Sequence, residues 1–351
     1  MTMQLARSCR QLAKGGTIAA LLAGCNNGSL AQSALDRAGD QASRITGLWW
    51  FYFGILLGVF TLVLAAIMIV VALHWRAQER KVAEVPIQAA EPQHERRLVN
   101  AIGGATLLTV AILFVLLFAD VFAGRDVSSA APEDALVIRV TGHQWWWELR
   151  YESTDPTKLV RTANELHIPI GKPVKFLLSS TDVIHSFWVP NLHGKRDLIP
   201  GHPASTWFVA RKPGTYYGQC AEFCGYQHAH MRLAITAEPA EQFDAWLQAQ
   251  RQSAPEPGTD LQRRGRDLFL RGTCSMCHTV QGTAARATVG PDLTHIASRA
   301  WLGSGALPNG RKELASWIAN PQIHKPGVRM PQHTLPDEDI NALIDYLETL
   351  K

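Results

Sequence analysis

Residues 218 to 231 read GQCAEFCGYQHAHM and place two cysteines, two histidines and a methionine close together. Cys220 and Cys224 are four residues apart, His228 lies four residues further on, and Met231 ends the loop before a predicted strand. Side chains of these types at such short spacing favour a metal or cofactor site over a disulfide framework. The stretch therefore predicts a metal site on a turn-rich loop.

The remaining ligand is expected from elsewhere in the chain, and His185 in TDVIHSFWVP, after a predicted strand, is the best candidate. Two cysteines and two histidines alone would suit tetrahedral zinc. Met231 favours copper, because a thioether is a poor zinc ligand and a good soft ligand for copper. One cysteine with two histidines and a weak methionine would form a single blue-copper site, whereas a second thiolate provides enough bridging sulfur for two copper ions. A disulfide between Cys220 and Cys224 beside unrelated histidines is the purely structural alternative.

The sequence around this loop has the pattern of a β domain. Short apolar or alternating runs follow one another, at 136–140, 174–178, 206–209 and 233–235. Glycines and prolines separate them, which favours a sandwich or a small barrel. A helix at 239–250 is predicted to close this domain, whose expected limits are 130–251.

Two apolar segments precede the β domain, at 48–73 and 98–119, and neither contains a charged residue. Both are long enough as helices to cross the roughly 30 Å hydrocarbon core of a membrane. The intervening loop, 74–97, carries five arginines and lysines, which predicts a cytoplasmic loop and places both chain termini outside.

The amino terminus resembles an export signal, with basic residues before a short apolar stretch in residues 1–24. Leu22-Ala23-Gly24-Cys25 resembles the bacterial lipobox, which predicts cleavage before Cys25, lipid modification of that cysteine and an exterior segment at 25–47. The alternative is a cysteine that happens to follow a signal or a loose membrane end.

The carboxyl-terminal quarter of the chain forms a separate unit at 260–351, after a proline-containing linker at 252–259. Asp260 is predicted to cap its first helix, and its last helix presents Ile340, Leu343, Ile344 and Leu347 on one face. Residues 274–278 read CSMCH, the CxxCH motif of covalent haem attachment.

Composition agrees with several folded units. The 351 residues are 47% hydrophobic and 18% charged, which is long enough for two or three cores. The net charge of +4 is small and no run of lysine and arginine stands out, so no nucleic-acid partner is indicated.

Three motifs in order resemble subunit II of cytochrome c oxidase: GHQWWWELRY at 142–151, DVIHSFWVPNLHGKRDLIPG at 182–201 and YGQCAEFCGYQHAHM at 217–231. The resemblance implies a cupredoxin fold and a binuclear copper centre, CuA. It implies the ligands His185, Cys220, Cys224, His228, Met231 and the backbone carbonyl of Glu222. It also implies that the Glu222 carboxylate helps to bind magnesium at the interface with the catalytic subunit.

Trp145 matches the family position at which an external cytochrome c delivers its electron. Two features depart from the family pattern. Trp146 stands where tyrosine is usual, and LVNAIGGA at the start of the second span lacks the glutamate that many relatives have near a proton channel. Glu95 lies earlier in the chain, so a role for it in proton transfer is left open.

Residues 260–351 resemble class I cytochrome c, through CSMCH, GPDLTH at 290–295 and GVRMP at 327–331. This resemblance implies thioether bonds to Cys274 and Cys277 and axial iron ligation by His278 and Met330. A fused haem domain is characteristic of the caa-type oxidases. The whole chain is thus expected to be a multidomain membrane protein, with a two-helix transmembrane hairpin, a β-sandwich cupredoxin domain and an all-α class I cytochrome c domain.

The functional hypothesis is an electron-input subunit of an aerobic respiratory oxidase in the bacterial inner membrane, with both metal domains on the periplasmic face. Electrons pass from cytochrome c or an upstream respiratory complex to haem c, to CuA and to subunit I, which reduces dioxygen and pumps protons. The alternatives are the input subunit of a copper-dependent nitric oxide reductase and, in a different class, a membrane-tethered copper chaperone.

Overall fold

The computed structural model describes residues 32–79 and 92–351. Two long helices come first, α1 at Asp40–Glu79 and α2 at Pro92–Val127. Both are long and apolar enough to cross a membrane, with windows of mean hydropathy 3.0 and 2.5. Most of their large apolar side chains are exposed, as expected of helices whose solvent is lipid. The predicted signal sequence, residues 1–24, and Cys25 lie outside the described residues.

Each helix is longer than the apolar segment predicted from the sequence. The uncharged run of sequence marks only the part of each helix that suits lipid. Backbone hydrogen bonds do not depend on residue polarity, so each helix continues through polar residues at both ends. At the start of α1, the amides of Ala38 and Gly39 donate to the Asn191 carbonyl of the β domain, at 2.8 and 3.1 Å. A side chain at Gly39 would meet the Leu192 carbonyl at 2.6 Å, so this close approach requires glycine.

The β domain is a sandwich of two five-stranded sheets, and their strand orders are β3-β2-β1-β5-β8 and β4-β10-β9-β6-β7. Pairings β1–β5 and β4–β10 are parallel, and the other neighbouring strands are antiparallel. The strands are β1 Leu136–His143, β2 Trp146–Tyr151, β3 Val160–Ala163, β4 Glu165–Pro169, β5 Pro173–Ser180, β6 His185–Trp188, β7 Arg196–Leu198, β8 Ala204–Val209, β9 Gly214–Cys220 and β10 Arg232–Glu238.

The core of the sandwich comes from the alternating apolar positions of its strands. Ile138 and Val140 of β1 are fully buried, while Leu136 is partly buried against the same core. Helix α3, Ala240–Ala249, packs on the sandwich through Phe243. The sequence prediction of a β domain closed by one helix is confirmed.

The carboxyl-terminal unit is mainly helical, with α4 Asp260–Arg271, α5 Arg311–Ala319, α6 Pro321–His324 and α7 Asp337–Leu347. A short hairpin is formed by β11, Trp301–Leu302, and β12, Leu307–Pro308. On α7, the predicted face is confirmed, because it lies in the hydrophobic core of this unit.

The prediction that Asp260 caps α4 is wrong. Thr259 is the N-cap: its hydroxyl accepts from the Gln262 amide, and the Gln262 side chain accepts from the Thr259 amide. This reciprocal pair satisfies two amides, so the helix begins one residue earlier than the aspartate suggested. Asp260 lies in the first turn.

The linker packs along the haem-motif unit. The Ala254 amide donates to the Gln281 carbonyl at 3.0 Å, and Glu256 pairs with Arg266 at 2.9 Å. The carboxyl-terminal unit also contacts the β domain directly, since both carboxylate oxygens of Glu165 accept from the Ala300 and Trp301 amides.

Candidate metal centre and haem cavity

The candidate metal ligands come together because strands β10, β9 and β6 are neighbours in one sheet. His185 begins β6, Cys220 ends β9, and Met231 directly precedes β10. The Cys220 amide donates to the Met231 carbonyl at 2.9 Å, which closes the loop between β9 and β10. Cys224 and His228 lie on that loop, so all five side chains come together at one end of these three strands.

Distances within this cluster are short. Cys220 Sγ lies 3.8 Å from His185 Nδ1 and 3.1 Å from the Glu222 carbonyl oxygen. Cys224 Sγ lies 3.6 Å from His228 Nδ1 and 3.9 Å from Met231 Sδ. Each thiol therefore lies near one histidine and one weaker metal donor, which is the Glu222 carbonyl for Cys220 and the Met231 thioether for Cys224.

Burial and residue type both fit copper. His185 and Met231 are fully buried, and both cysteines are 2% exposed and free of disulfide bonds. Thiolate, imidazole and thioether together form a soft donor set. The thioether of Met231 is a ligand that suits copper and that zinc does not favour. The ligand atoms of His185, Cys220 and Cys224 all lie within 4.8 Å of one another, which is close enough for shared metal binding.

The orientation of His185 is set by its neighbours. Its Nε2 lies 2.8 Å from Asp182 Oδ1, so an N–H there donates to the carboxylate and leaves Nδ1 free to bind a metal. Gly142 makes room for the ring, because a Cβ at that position would meet His185 Cδ2 at 2.7 Å. Neither Asp182 nor Gly142 was predicted, since neither residue type binds copper by itself.

Electrostatics in the cluster favour the charged forms of His185 and Cys220, whereas the hydrogen bond with Cys220 and burial raise the pKa of the Cys224 thiol and favour its neutral form. Burial alone lowers the pKa of His185, but hydrogen bonds to Cys220 and Asp182 outweigh it and raise that pKa. The hydrogen bond from Cys224 lowers the pKa of the Cys220 thiol to about 3. A thiolate, the form that binds metals, is therefore accessible in this site before any metal binds.

The carboxyl-terminal unit contains a largely apolar cavity of about 430 Å³, within the roughly 300–1000 Å³ range of cofactor sites. Its lining includes the four residues assigned to haem: Cys274, Cys277, His278 and Met330. Both cysteines lie on or beside the short 3-10 turn Thr273–Met276, directly before the histidine. The turn thus places the two thiols and the imidazole at one side of the cavity.

His278 is held for ligation in the same manner as His185. Its Nδ1 lies 2.7 Å from the Pro291 carbonyl, so that nitrogen donates and Nε2 remains free. Gly290 packs against the ring, and a Cβ there would meet His278 Cε1 at 2.6 Å. Burial lowers the pKa of His278, which keeps the imidazole neutral and available as a ligand.

Two polar residues near the cavity were missed in the sequence. The side-chain Nε2 of Gln322 donates to the Val328 and Met330 carbonyls, both at 2.9 Å, and shapes the loop that carries Met330. Arg299 lines the cavity, and its buried Nε has no hydrogen-bond partner within the described parts of the chain. An unpartnered guanidinium nitrogen suits a carboxylate, which a haem propionate supplies.

Trp145 lies between the two sites. It lines the haem cavity, while its Nε1 donates to the Cys224 carbonyl at 2.9 Å. Trp146 also lines the cavity and stacks on His143, with ring centroids 4.5 Å apart. The position predicted to meet an external donor thus faces the haem cavity of the same chain.

The other predicted residues lie outside these two clusters. The Glu222 carboxylate is 44% exposed and lies 3.6 Å from Lys195 Nζ, so it points away from the sulfur cluster. Glu95 lies in the first turn of α2. The structure leaves the roles of both carboxylates as predictions.

Sequence comparisons with known proteins identify both of these domains. The family model of the cytochrome c oxidase subunit II periplasmic domain matches residues 153–238, and that of cytochrome c matches 262–351. Cytochrome c oxidase subunit 2 of Alkalihalophilus pseudofirmus is 33% identical over 330 residues, 91% of each chain. That of Bacillus subtilis is 29% identical over 265 residues, 70% of this chain and 73% of its own. A crystal structure of the periplasmic domain of subunit II from Bradyrhizobium japonicum is 32% identical, covers 35% of this chain and 97% of its own, and has a TM-score of 0.33.

Proposed function

This chain belongs to the cytochrome c oxidase subunit 2 family, with a cytochrome c domain at its carboxyl end, and from that premise we propose that it is the electron-input subunit. Electrons enter at a covalent haem c in the carboxyl-terminal domain, pass to a binuclear copper centre in the cupredoxin domain and leave to subunit I. Subunit I reduces dioxygen to water and pumps protons, and this chain supplies no oxygen chemistry.

The observation that carries this proposal is the position of Trp145. Trp145 lines the cavity together with Cys274, Cys277 and His278, and its Nε1 donates to the Cys224 carbonyl. A single side chain therefore joins the surroundings of both cofactors. Such a contact supports electron transfer within the chain in place of a collision at this surface.

The remaining residues have distinct roles in the proposal. Two thiolates, two imidazoles, Met231 and the Glu222 carbonyl hold copper, which supplies one-electron transfer with little rearrangement. Cys274 and Cys277 form thioether bonds to haem, and His278 and Met330 ligate its iron, a pair that raises its reduction potential. The Glu222 carboxylate, which points outward, shares magnesium with subunit I.

The partners follow from the helices and the family. Helices α1 and α2 expose apolar side chains that suit membrane lipid and other oxidase subunits. Both metal domains lie on the periplasmic face of the inner membrane, and the basic loop 74–97 lies in the cytoplasm. Cytochrome c or an upstream respiratory complex donates electrons.

Metal analysis and spectroscopy of the purified complex test the proposal. We expect two copper ions and one covalently bound haem in this chain, with the haem retained under denaturing conditions. A reduced-minus-oxidised spectrum should show a c-type haem together with the haem of a large membrane subunit. Zinc in the sulfur cluster, or a chain that purifies without such a subunit, would contradict the assignment.

The same preparation separates the alternatives. A copper chaperone needs neither Met231 nor the haem cavity, and it purifies without a haem-bearing partner. A nitric oxide reductase shares the input chemistry, so turnover with dioxygen against nitric oxide distinguishes it. Dioxygen consumption coupled to oxidation of this haem is the expected result.

A further inference from the structure

Lys325 is buried between the cupredoxin and cytochrome c domains. It is 1% exposed, and its Nζ donates to three backbone carbonyls, of Trp145 at 2.7 Å, His230 at 2.7 Å and Gly303 at 2.8 Å. An ammonium group has three N–H donors, so all of them are paired. Neither the electron path nor cofactor ligation, as derived above, uses this side chain.

The three carbonyls belong to different functional segments. Trp145 carries the indole between the two cofactor sites, and His230 lies on the copper-ligand loop between His228 and Met231. Gly303 belongs to the turn between β11 and β12 in the cytochrome c domain. Two of the three acceptors are thus in the domain opposite to the lysine.

The residues that follow Lys325 continue this contact toward Met330. The Pro326 carbonyl accepts from Gln227 Nε2 at 2.7 Å. A Cβ at Gly327 would lie 3.6 Å from the Trp145 ring, which places this backbone against the indole. Arg329 lies 3.7 Å from Asp182, whose other oxygen holds His185. Segment 325–330 therefore lies on the copper-binding side of the cupredoxin domain.

Burial of this ammonium group is costly unless its donors are paired. Burial lowers the pKa of Lys325 to about 7, against the opposing charge of Cys224, so the ammonium with its three donors is the main form below that pH. The three carbonyls replace the hydration that the group loses on burial. Removal of the ammonium would leave three partly buried carbonyls without this donor, so the contact contributes to holding the domains together.

We infer that Lys325 is a positioning residue for electron transfer between the haem and copper sites, an inference that rests on the proposed function. Its ammonium holds the segment before Met330 against two parts of the cupredoxin domain: the turn between β1 and β2, which contains Trp145, and the copper-ligand loop, residues 221–231. This contact fixes the distance between the two cofactors. Its charge, close to both sites, also favours the form of each cofactor that holds the extra electron.

The test compares three full-length variants in the purified complex: Lys325→Met, Lys325→Arg and, as a control, Lys312→Met, which removes an exposed lysine of the same domain. In the parent, one electron from photoreduced haem passes to oxidised copper in an internal phase. With Lys325→Met we expect that rate to fall by about tenfold or more, because small displacements strongly affect reaction rates. Lys312→Met should keep the parent rate.

A second readout is independent of turnover. The Arg232 amide donates to the Ser304 carbonyl across the domain interface at 3.1 Å, and the Ala300 and Trp301 amides donate to Glu165. Hydrogen exchange at these three amides should become at least about tenfold faster in Lys325→Met. Amides within strand β1, at the centre of the other sheet, report on global unfolding, and their exchange should not change.

Lys325→Arg separates charge from geometry, since a planar guanidinium retains the charge but cannot match a tripod of carbonyls. It should keep the reduction potentials of both cofactors yet slow the internal phase, whereas Lys325→Met should lower both potentials as well. An internal rate within twofold of the parent in both variants, with unchanged interface exchange, overturns the inference. Absence of an internal phase in the parent instead refutes the proposed electron path, and the exchange and potential measurements still decide the role of Lys325.

Discussion

At the scale of single residues, each cofactor ligand depends on a neighbour that fixes its orientation. Asp182 holds Nε2 of His185, and the Pro291 carbonyl holds Nδ1 of His278. Because each imidazole donates from one nitrogen, only the other remains free for a metal. The ligands were predicted from their residue types, while these partners were not, since aspartate and backbone carbonyls occur throughout any sequence.

Replacement of Asp182 tests this dependence. Its carboxylate accepts from His185 and from the Gln144 amide at 2.7 Å, and an amide side chain would turn a donor toward one of them. We expect Asp182→Asn to weaken copper binding by about 10–100-fold, as second-sphere changes do. Chelator competition measures it, with the exposed Asp244→Asn as control. Equal copper affinity in the two variants would show that Asp182 does not orient His185 for metal binding.

Met330 offers a second test at this scale. In Met330→Ala, the haem remains covalently attached because Cys274 and Cys277 are intact, but loss of the thioether ligand lowers its reduction potential. A redox titration of the c-type haem measures the change. Met276 is the matched control, because it lies inside the CSMCH motif and is 69% exposed. A potential that stays at the parent value in Met330→Ala would exclude Met330 as the axial ligand.

At the scale of elements, the periodic patterns predicted which segments are helices and strands, but not how closely they approach. The apolar face of α7 was read from its 3.6-residue period. The crossing of α4 and α7 was not, because it depends on Gly265, which looks like an ordinary helix-weakening residue in the sequence. A Cβ at Gly265 would lie 1.9 Å from the Ala342 carbonyl oxygen.

Gly265→Ala should therefore destabilise the cytochrome c domain despite the higher helix propensity of alanine. Backbone atoms of α7 must shift to accept the methyl group, and such overpacking costs about 1–3 kcal/mol or more. Denaturant unfolding followed by the haem signal measures the loss. Leu261→Ala, at an exposed position of the same helix, should change stability far less. Equal unfolding midpoints for both variants would contradict the close crossing.

At the scale of the whole molecule, the cytochrome c domain packs against the cupredoxin domain at Trp145. Trp145 was predicted as the entry point for an external cytochrome c, and the structure places the haem cavity of the same chain against it. The linker alone would give an effective concentration on the order of millimolar. Direct contacts through Glu165, Lys325 and Gln227 add to this tether and orient the two domains.

A truncation that ends at Ser253 tests this arrangement. The variant keeps both long helices, the sandwich and all copper ligands, and it uncovers Trp145. We expect soluble cytochrome c to reduce its copper centre in a bimolecular reaction, at a rate that rises with donor concentration and falls with salt if charge guides the encounter. Stopped-flow absorbance measures this rate against the internal phase of the full-length chain. Reduction in the truncated form that is independent of donor concentration would contradict the proposal.

The sequence by itself determined the two apolar helices, the sandwich, the haem motif and the soft donor set, because these depend on residue type at short spacing or on local periodicity. Only the tertiary structure decided that Trp145 contacts both the haem cavity and the copper-ligand loop, and that Lys325 contacts both domains. The carbonyl acceptors of Lys325 lie 180, 95 and 22 residues away in the chain. Every residue has a backbone carbonyl, so its use as an acceptor leaves no mark on residue type, and only folding brings donor and acceptors together.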